Sequence, residues 1–181
     1  NQMVASAGYV AAAADGAQFG ALQEGYAQSL EARILDPLEM LRTTLSFQEV
    51  RERGEYARPH ALEFGFDYAE VPLSQERFVE PVAPAGGHWS TAREMARYMV
   101  MQLRGGIGPE GQRIVSEDAL LHTRESQVGV SAETDYGLGW FVDEWEGVRL
   151  IHHGGNTVGF TSSFGFLPAK GLGVLVLMNG Q

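Results

Sequence analysis

Residues 148–179 read VRLIHHGGNTVGFTSSFGFLPAKGLGVLVLMN. The runs VRLIHHG, VGFTSSFGFLP and LGVLVLMN are rich in β-branched and aromatic residues, as strands are. Turn-forming clusters separate them, one at Gly154-Gly155-Asn156 and one at Pro168-Ala169-Lys170-Gly171. Connections this short join antiparallel neighbours, because a parallel crossover needs a dozen or more residues. One run further upstream, YGLGWFVDEW at 136–145, joins the same pattern through Glu146-Gly147. The end of the chain is therefore an antiparallel meander. Within it, IHHGGNTVGF at 151–160 is open to two readings, a bare turn or the wall of a site.

Upstream of the meander the periodicity becomes helical. In GGHWSTAREMARYMVMQLRGG, residues 86–106, Thr91 and Glu94 have capping-box spacing. Ala92, Met95, Met99 and Leu103 form the expected buried stripe, and Gly105-Gly106 stops the helix. A shorter helix follows, with Ser116 as N-cap and Glu117 and Asp118 in its first turn. Nearer the start, Leu22, Tyr26, Leu30 and Ile34 mark a helix over 18–35 that ends at Asp36-Pro37. Residues 1–15 are small and apolar and predict another helix, ending near Asp15-Gly16. Between lies 45–85, with prolines at 59, 72, 81 and 84 and no period. It reads as a long ordered excursion with short strands or turns, of a kind that is usually functional or a small subdomain. The fold class is α+β, an antiparallel sheet with helices packed on it. All of it reads as one domain: a helical part at 1–44, the excursion at 45–85, helices at 86–125 and antiparallel strands at 136–179.

Composition narrows the chemistry. The 181 residues carry 23 acidic and 13 basic side chains, a net charge of -10, which argues against nucleic acid as a partner. There is no cysteine, so no disulfide and no thiolate metal site. No apolar run is long enough for a membrane-spanning helix. The histidines at 60, 88, 122, 152 and 153 have no metal-binding spacing, and adjacent His152 and His153 point to opposite faces of a regular strand. No glycine pattern matches a phosphate loop, so neither a metal nor another cofactor is expected. Nor is a nucleophile evident. There is no GxSxG, and no serine is followed three residues on by lysine. Ser74 and Ser90 are followed by Arg77 and Arg93, which cannot act as bases.

IHHGGNTVGF can nevertheless serve a nucleophile supplied from elsewhere. Gly154 and Gly155 leave the backbone bare for a substrate to lie against. The N–H of Asn156 can meet a developing oxyanion, and His153 adds a polar side chain. Tyr136 and Trp140 are candidates to line the same cleft. The competing reading is a glycine-rich hairpin bearing two surface histidines, with Tyr136 and Trp140 as packing residues.

Four stretches taken in order carry a resemblance: RILDPLEMLRTT at 33–44, PAGGHWSTAREMARYM at 84–99, YGLGWFV at 136–142 and HHGGNTVGFTSSFGFLPAKGLGVLVLMN at 152–179. The series resembles the serine β-lactamase-like family, which includes class C β-lactamases, D-alanyl-D-alanine carboxypeptidases, D-aminopeptidases and related esterases. The resemblance implies a β-lactamase/penicillin-binding-protein-like fold, incomplete in this chain. It also implies a catalytic serine and lysine in SxxK, a tyrosine in YxN and a KTG or HxG triplet on the strand flanking the cleft. His153-Gly154-Gly155 resembles HxG, which makes the Asn156 N–H the strand-side half of an oxyanion hole. Histidine in place of the lysine leans towards the esterase or peptidase branches.

SxxK and an intact YxN are missing. NQMVASAGYV resembles the stretch beginning at the Asn of YxN, which assigns that part to Asn1 and puts its tyrosine and SxxK upstream of the chain. A closing helix is expected after Gln181. The implied function is a serine hydrolase that forms an acyl-enzyme on esters, amides, D-peptides or β-lactams, with this chain inactive by itself. The alternative is a non-catalytic binding protein on the same fold. The implied partners are a small-molecule or peptide substrate and the remainder of the same protein, without which a sheet face lies bare. The resemblance favours an extracytoplasmic location.

Overall fold

The computed structural model describes residues 1–65 and 67–181. Its centre is a six-stranded sheet in which every strand pairs antiparallel with the next in sequence. The strands are β3 (Val128–Gly129), β4 (Thr134–Tyr136), β5 (Phe141–Trp145), β6 (Val148–Asn156), β7 (Thr161–Leu167) and β8 (Leu172–Met178). A separate hairpin pairs β1 (His60–Leu62) with β2 (Tyr68–Glu70). The helices are α1 (Gln2–Ala14), α2 (Leu22–Leu30), α3 (Phe47–Arg53), α4 (Ala92–Leu103) and α5 (Glu117–Thr123). This is the α+β arrangement that the meander demanded. Among the described residues no helix is long and apolar enough to cross a membrane.

α4 sits between two cores. Met101 joins Leu35, Leu38, Met40 and Leu120 on the helical side. On the sheet side, Leu103 and Tyr98 pack on Trp140, Ile151 and Phe166, and Met99 lies over Gly173 of β8. The stripe at Met95, Met99 and Leu103 thus faces inward, but Ala92 is exposed. Ala92 is the first helical residue, beside the Thr91 cap, and has no turn behind it to pack. Thr91 Oγ1 accepts from the Glu94 N–H at 3.2 Å. The Glu94 carboxylate turns away from the cap and accepts from the Arg42 N–H at 2.8 Å and the Thr43 hydroxyl at 2.6 Å. That network fastens α4 to the chain that follows α2. At the other end Gly105 and Gly106 take φ of 63° and 89°, and the Gly106 N–H reaches the Met101 carbonyl, as a helix-stopping glycine pair should.

Two expectations change. The helix over 18–35 is α2 followed by one π turn, Glu31–Leu35, before Pro37 ends it. The excursion at 45–85 is more helical than its mixed composition implied. Ser46 caps α3 by accepting from the Glu49 N–H at 3.2 Å, and Leu73–Ala85 forms 3-10 turns kinked at Val82. Ser46 and Glu49 have the same capping-box spacing as Thr91 and Glu94, but α3 is too short to show a period.

Candidate functional site

The turn expected at Gly154-Gly155-Asn156 is not a turn. All three residues belong to β6, and neither glycine has a positive φ. The chain reverses instead at Val158-Gly159, closed by the Thr157 N–H donating to the Phe160 carbonyl at 2.9 Å. Glycine signalled a turn, yet its use at 155 is close packing: a Cβ there would lie 2.8 Å from Ser162 Oγ.

The turn sets which backbone groups of β6 are free. Antiparallel ladders alternate hydrogen-bonded and non-hydrogen-bonded pairs. Counting from the bonded pair Thr157/Phe160, Gly155/Ser162 and His153/Phe164 are also bonded. Asn156/Thr161 and Gly154/Ser163 are the intervening pairs in the register. The N–H and C=O of Gly154 and Asn156 therefore point away from β7, towards the β5 side. β5 begins at Phe141, opposite His152. Beyond that point no strand among the described residues pairs with this edge of β6, and its rim carries the Gly154 C=O and the Asn156 N–H. The Asn156 side chain is engaged separately, its Oδ1 accepting from Thr161 Oγ1 at 3.0 Å.

At the base of this rim stands His153. Its Nδ1 lies 2.6 Å from the Gly154 carbonyl and its Nε2 lies 3.0 Å from the Tyr136 hydroxyl. A carbonyl only accepts, so Nδ1 carries the proton. In the neutral ring Nε2 then accepts from the Tyr136 O–H. Burial raises the Tyr136 pKa above its ordinary value, which keeps that hydroxyl protonated. Phe141 packs edge-on to Tyr136 at 4.9 Å and stacks on His153 at 5.3 Å and on His152 at 5.4 Å. His152 bonds Asp143 through Nε2 at 2.8 Å. By register the two histidines leave opposite faces, but because β5 stops at Phe141, both rings reach its end.

The sequence-derived residues thus divide. Tyr136, His153, Gly154, Gly155 and Asn156 lie together. Trp140 does not join them: it is 9% exposed and packs at 5.4 Å on Phe166 in the sheet-side core, so its reading as a substrate-lining residue gives way to the packing one. Asn1 is exposed at the start of α1, and its carbonyl accepts from the Ala5 N–H. Among the described residues no hydrogen bond ties Asn1 to the rim. Sequence reading passed over Phe141 and Asp143. Their alternation opposite His152 and Leu150 was visible, but the register that pairs them was not. Among the described residues no three His, Asp or Glu side chains converge as a metal site would require. A concavity of about 1030 Å³ opens between α2 and α3 and shares no residue with the rim.

The whole arrangement has known counterparts. A sequence model of the family described as Beta-lactamase matches residues 4–181. The chain belongs to the beta-lactamase family. Penicillin-binding protein 4 of Amycolatopsis lactamdurans is 26% identical over 162 residues, covering 87% of this chain and 42% of that protein. Unguisins hydrolase ungD' of Aspergillus campestris is 26% identical over 153 residues, 81% of this chain and 28% of that protein. The octameric penicillin-binding protein homologue from Pyrococcus abyssi superposes with a TM-score of 0.72 at 25% identity, over 85% of this chain and 33% of that one. The D-stereospecific amidohydrolase from Streptomyces sp. shares the fold, with a TM-score of 0.62 at 20% identity over 86% of this chain and 44% of that one. The chain spans less than half the length of each of these relatives.

Proposed function

We propose that this beta-lactamase-family chain supplies the strand wall of a serine acyl-transfer site. The observation that carries the reading is the rim of β6 that no strand among the described residues pairs, where the Asn156 N–H lies beside a His153 held by Tyr136. In the intact protein a serine, activated by a lysine and a tyrosine outside these 181 residues, attacks a carbonyl. The oxygen acquires negative charge and is held by the serine's own N–H and by the Asn156 N–H. The Gly154 C=O beside it receives a donor from the substrate. Collapse expels the leaving group, and water then releases the acid from the acyl-enzyme.

His153 occupies the triplet position as a ring whose two nitrogens are already engaged, Nδ1 by the Gly154 carbonyl and Nε2 by Tyr136. With both nitrogens engaged, the ring has no free N–H to offer a substrate carboxylate. The reading therefore favours esters and amides without a carboxylate beside the scissile bond. Asn1, at the start of α1, stands for the Asn of YxN in the same assembly. The remaining partner is further polypeptide of the same protein, which brings SxxK and covers the outward face of β8.

The test is labelling of the intact protein with a fluorophosphonate, followed by peptide mass analysis. Mass on one serine within an SxxK supports the hydrolase. No adduct, with no Ser-x-x-Lys in the intact sequence, gives the fold to a non-catalytic binder.

A further inference from the structure

We infer that Glu76 is a positioning residue for the β6 rim: its buried carboxylate fixes the turn that fixes the Asn156 N–H. The inference rests on the hydrolase reading above and adds a residue that no motif marks.

Glu76 is only 1% exposed, and among the described residues no cation is paired with it. A buried carboxylate without a counter-ion is costly to desolvate, so its surroundings must favour its oxygens. The hydrogen bond it makes is to the turn: Oε1 accepts from the Gly159 N–H at 2.7 Å. Gly159 is held on its other sides by the same excursion. Its carbonyl accepts from the His60 N–H at 3.3 Å, and any side chain at 159 would strike Pro59. The glycine is needed there for this close approach.

The clamp matters because of where β6 lacks a neighbour. At Ile151 and His152 the strand is paired on both sides, with β5 and with β7. Past His152 it has β7 alone, and β7 reaches Asn156 from the turn side. A strand end bonded on one edge frays and twists more readily than one bonded on both. The Asn156 N–H therefore has two sources of placement: the doubly paired Ile151 and His152 behind it and the turn ahead of it. Glu76 secures the second. Its own segment is anchored in turn, since the Tyr9 hydroxyl donates to the Pro81 carbonyl at 3.0 Å and Gly8 of α1 lies against Pro84. Glu76 thus links the helical part, through the excursion, to the rim where an oxyanion is held. An oxyanion donor displaced by a fraction of an ångström stabilises the transition state less and the bound substrate almost as well.

The experiment compares Glu76→Gln with Glu76→Met in the full-length protein, both close to glutamate in volume. Glutamine keeps an oxygen acceptor for Gly159; methionine removes it. Using a chromogenic ester and a boronic acid that mimics the tetrahedral state, Glu76→Met should lower kcat by about tenfold or more. Its KM should stay within about twofold, and boronate affinity should fall in step with kcat. Glu76→Gln should stay within about threefold of the parent in all three. An unchanged kcat in Glu76→Met, or a change confined to KM, overturns the inference. Should Glu76→Met not be recovered folded, hydrogen exchange in Glu76→Asp decides, because the shorter side chain keeps the charge but withdraws the carboxylate from the Gly159 N–H. Faster exchange at Gly159 and Thr157, the two bonded amides of the turn, with a matching fall in kcat supports it, and unaltered exchange, or faster exchange with full kcat, overturns it. A parent protein that takes no serine label fails the hydrolase reading itself; a labelled parent with an undiminished Glu76→Met fails only Glu76.

Discussion

In the proposed site His153, Tyr136 and Asn156 would act through different atoms, and substitutions separate them. Tyr136 contributes a hydroxyl to the histidine and a ring to Phe141. Tyr136→Phe keeps the ring, so the fold should stand while kcat falls by about tenfold, the loss of one hydrogen bond at the site. His153→Ala should fall further, and unchanged ester hydrolysis in that variant removes His153 from the mechanism. Asn156 is proposed to work through its backbone. Asn156→Ala deletes only the side-chain bond from Thr161 and should keep kcat within about threefold, whereas a lost oxyanion donor costs about a hundredfold or more. Steady-state kinetics on the intact protein distinguishes the two. At this scale the sequence showed which residue types were present, including the triplet His153-Gly154-Gly155. It did not show that Trp140 faces the core while Tyr136 faces the histidine. Those two belong to one motif, YGLGWFV, and the bend at Gly137–Gly139 sends them different ways. Gly137 lies so near the Thr123 and Glu125 carbonyls that a Cβ there would sit 2.5 and 2.8 Å from them.

Among the elements, α4 was the most legible because its cap, its stripe and its glycine stop agree with one another. Thr91→Ala should cost about 1 kcal/mol of stability, the usual value of a cap. Glu94→Ala should cost more, about 2–3 kcal/mol, because it leaves the Arg42 N–H and the Thr43 hydroxyl without their acceptor. Urea denaturation of the two variants gives the order, and equal losses would contradict it. The β6–β7 hairpin was legible as a hairpin but not in its register. Two adjacent glycines before an asparagine look like a turn locally, and the decision to turn at Val158-Gly159 is made by Pro59, His60 and Glu76, about a hundred residues upstream. α3 and the 3-10 run after it were hidden for the opposite reason. α3, held by contacts such as Trp89 on Phe47 at 6.2 Å, is too short to show its period, and the 3-10 run contains Pro81 and Pro84 and is kinked at Val82, so no single period runs through it.

For the whole molecule, two surfaces have consequences. β8 presents Leu172, Val174, Val176 and Met178 to solvent, an apolar face on an edge strand with no charge in it. The 181-residue chain by itself should therefore bind a hydrophobic dye and self-associate, and Val174→Lys should reduce both; a monodisperse chain that leaves the dye dark would contradict this. Inside, burial raises the pKa of Tyr26, Tyr98 and Tyr136 above the ordinary 10.0. A raised folded-state pKa means that the stability contributed by the neutral phenols is complete below pH 10 and is lost as pH climbs through the folded values. Denaturation midpoints of the intact protein should decline above about pH 10, together with the phenolate absorbance change. Hydrophobic pattern disclosed the layers of this fold, and the resemblance pointed to the strand of the proposed site. They could not disclose the rim, because a missing strand neighbour is a property of the sheet and of no single segment.

The central claim is that the Asn156 N–H forms half of an oxyanion hole for a serine borne elsewhere in the protein. A crystal structure of the intact protein carrying a phosphonate adduct tests it directly. The phosphoryl oxygen is expected at about 2.7–3.1 Å from the Asn156 nitrogen, with the adducted serine across the cleft from the β6 rim. An adduct on a serine distant from β6, or a phosphoryl oxygen turned away from Asn156 into solvent, would contradict it.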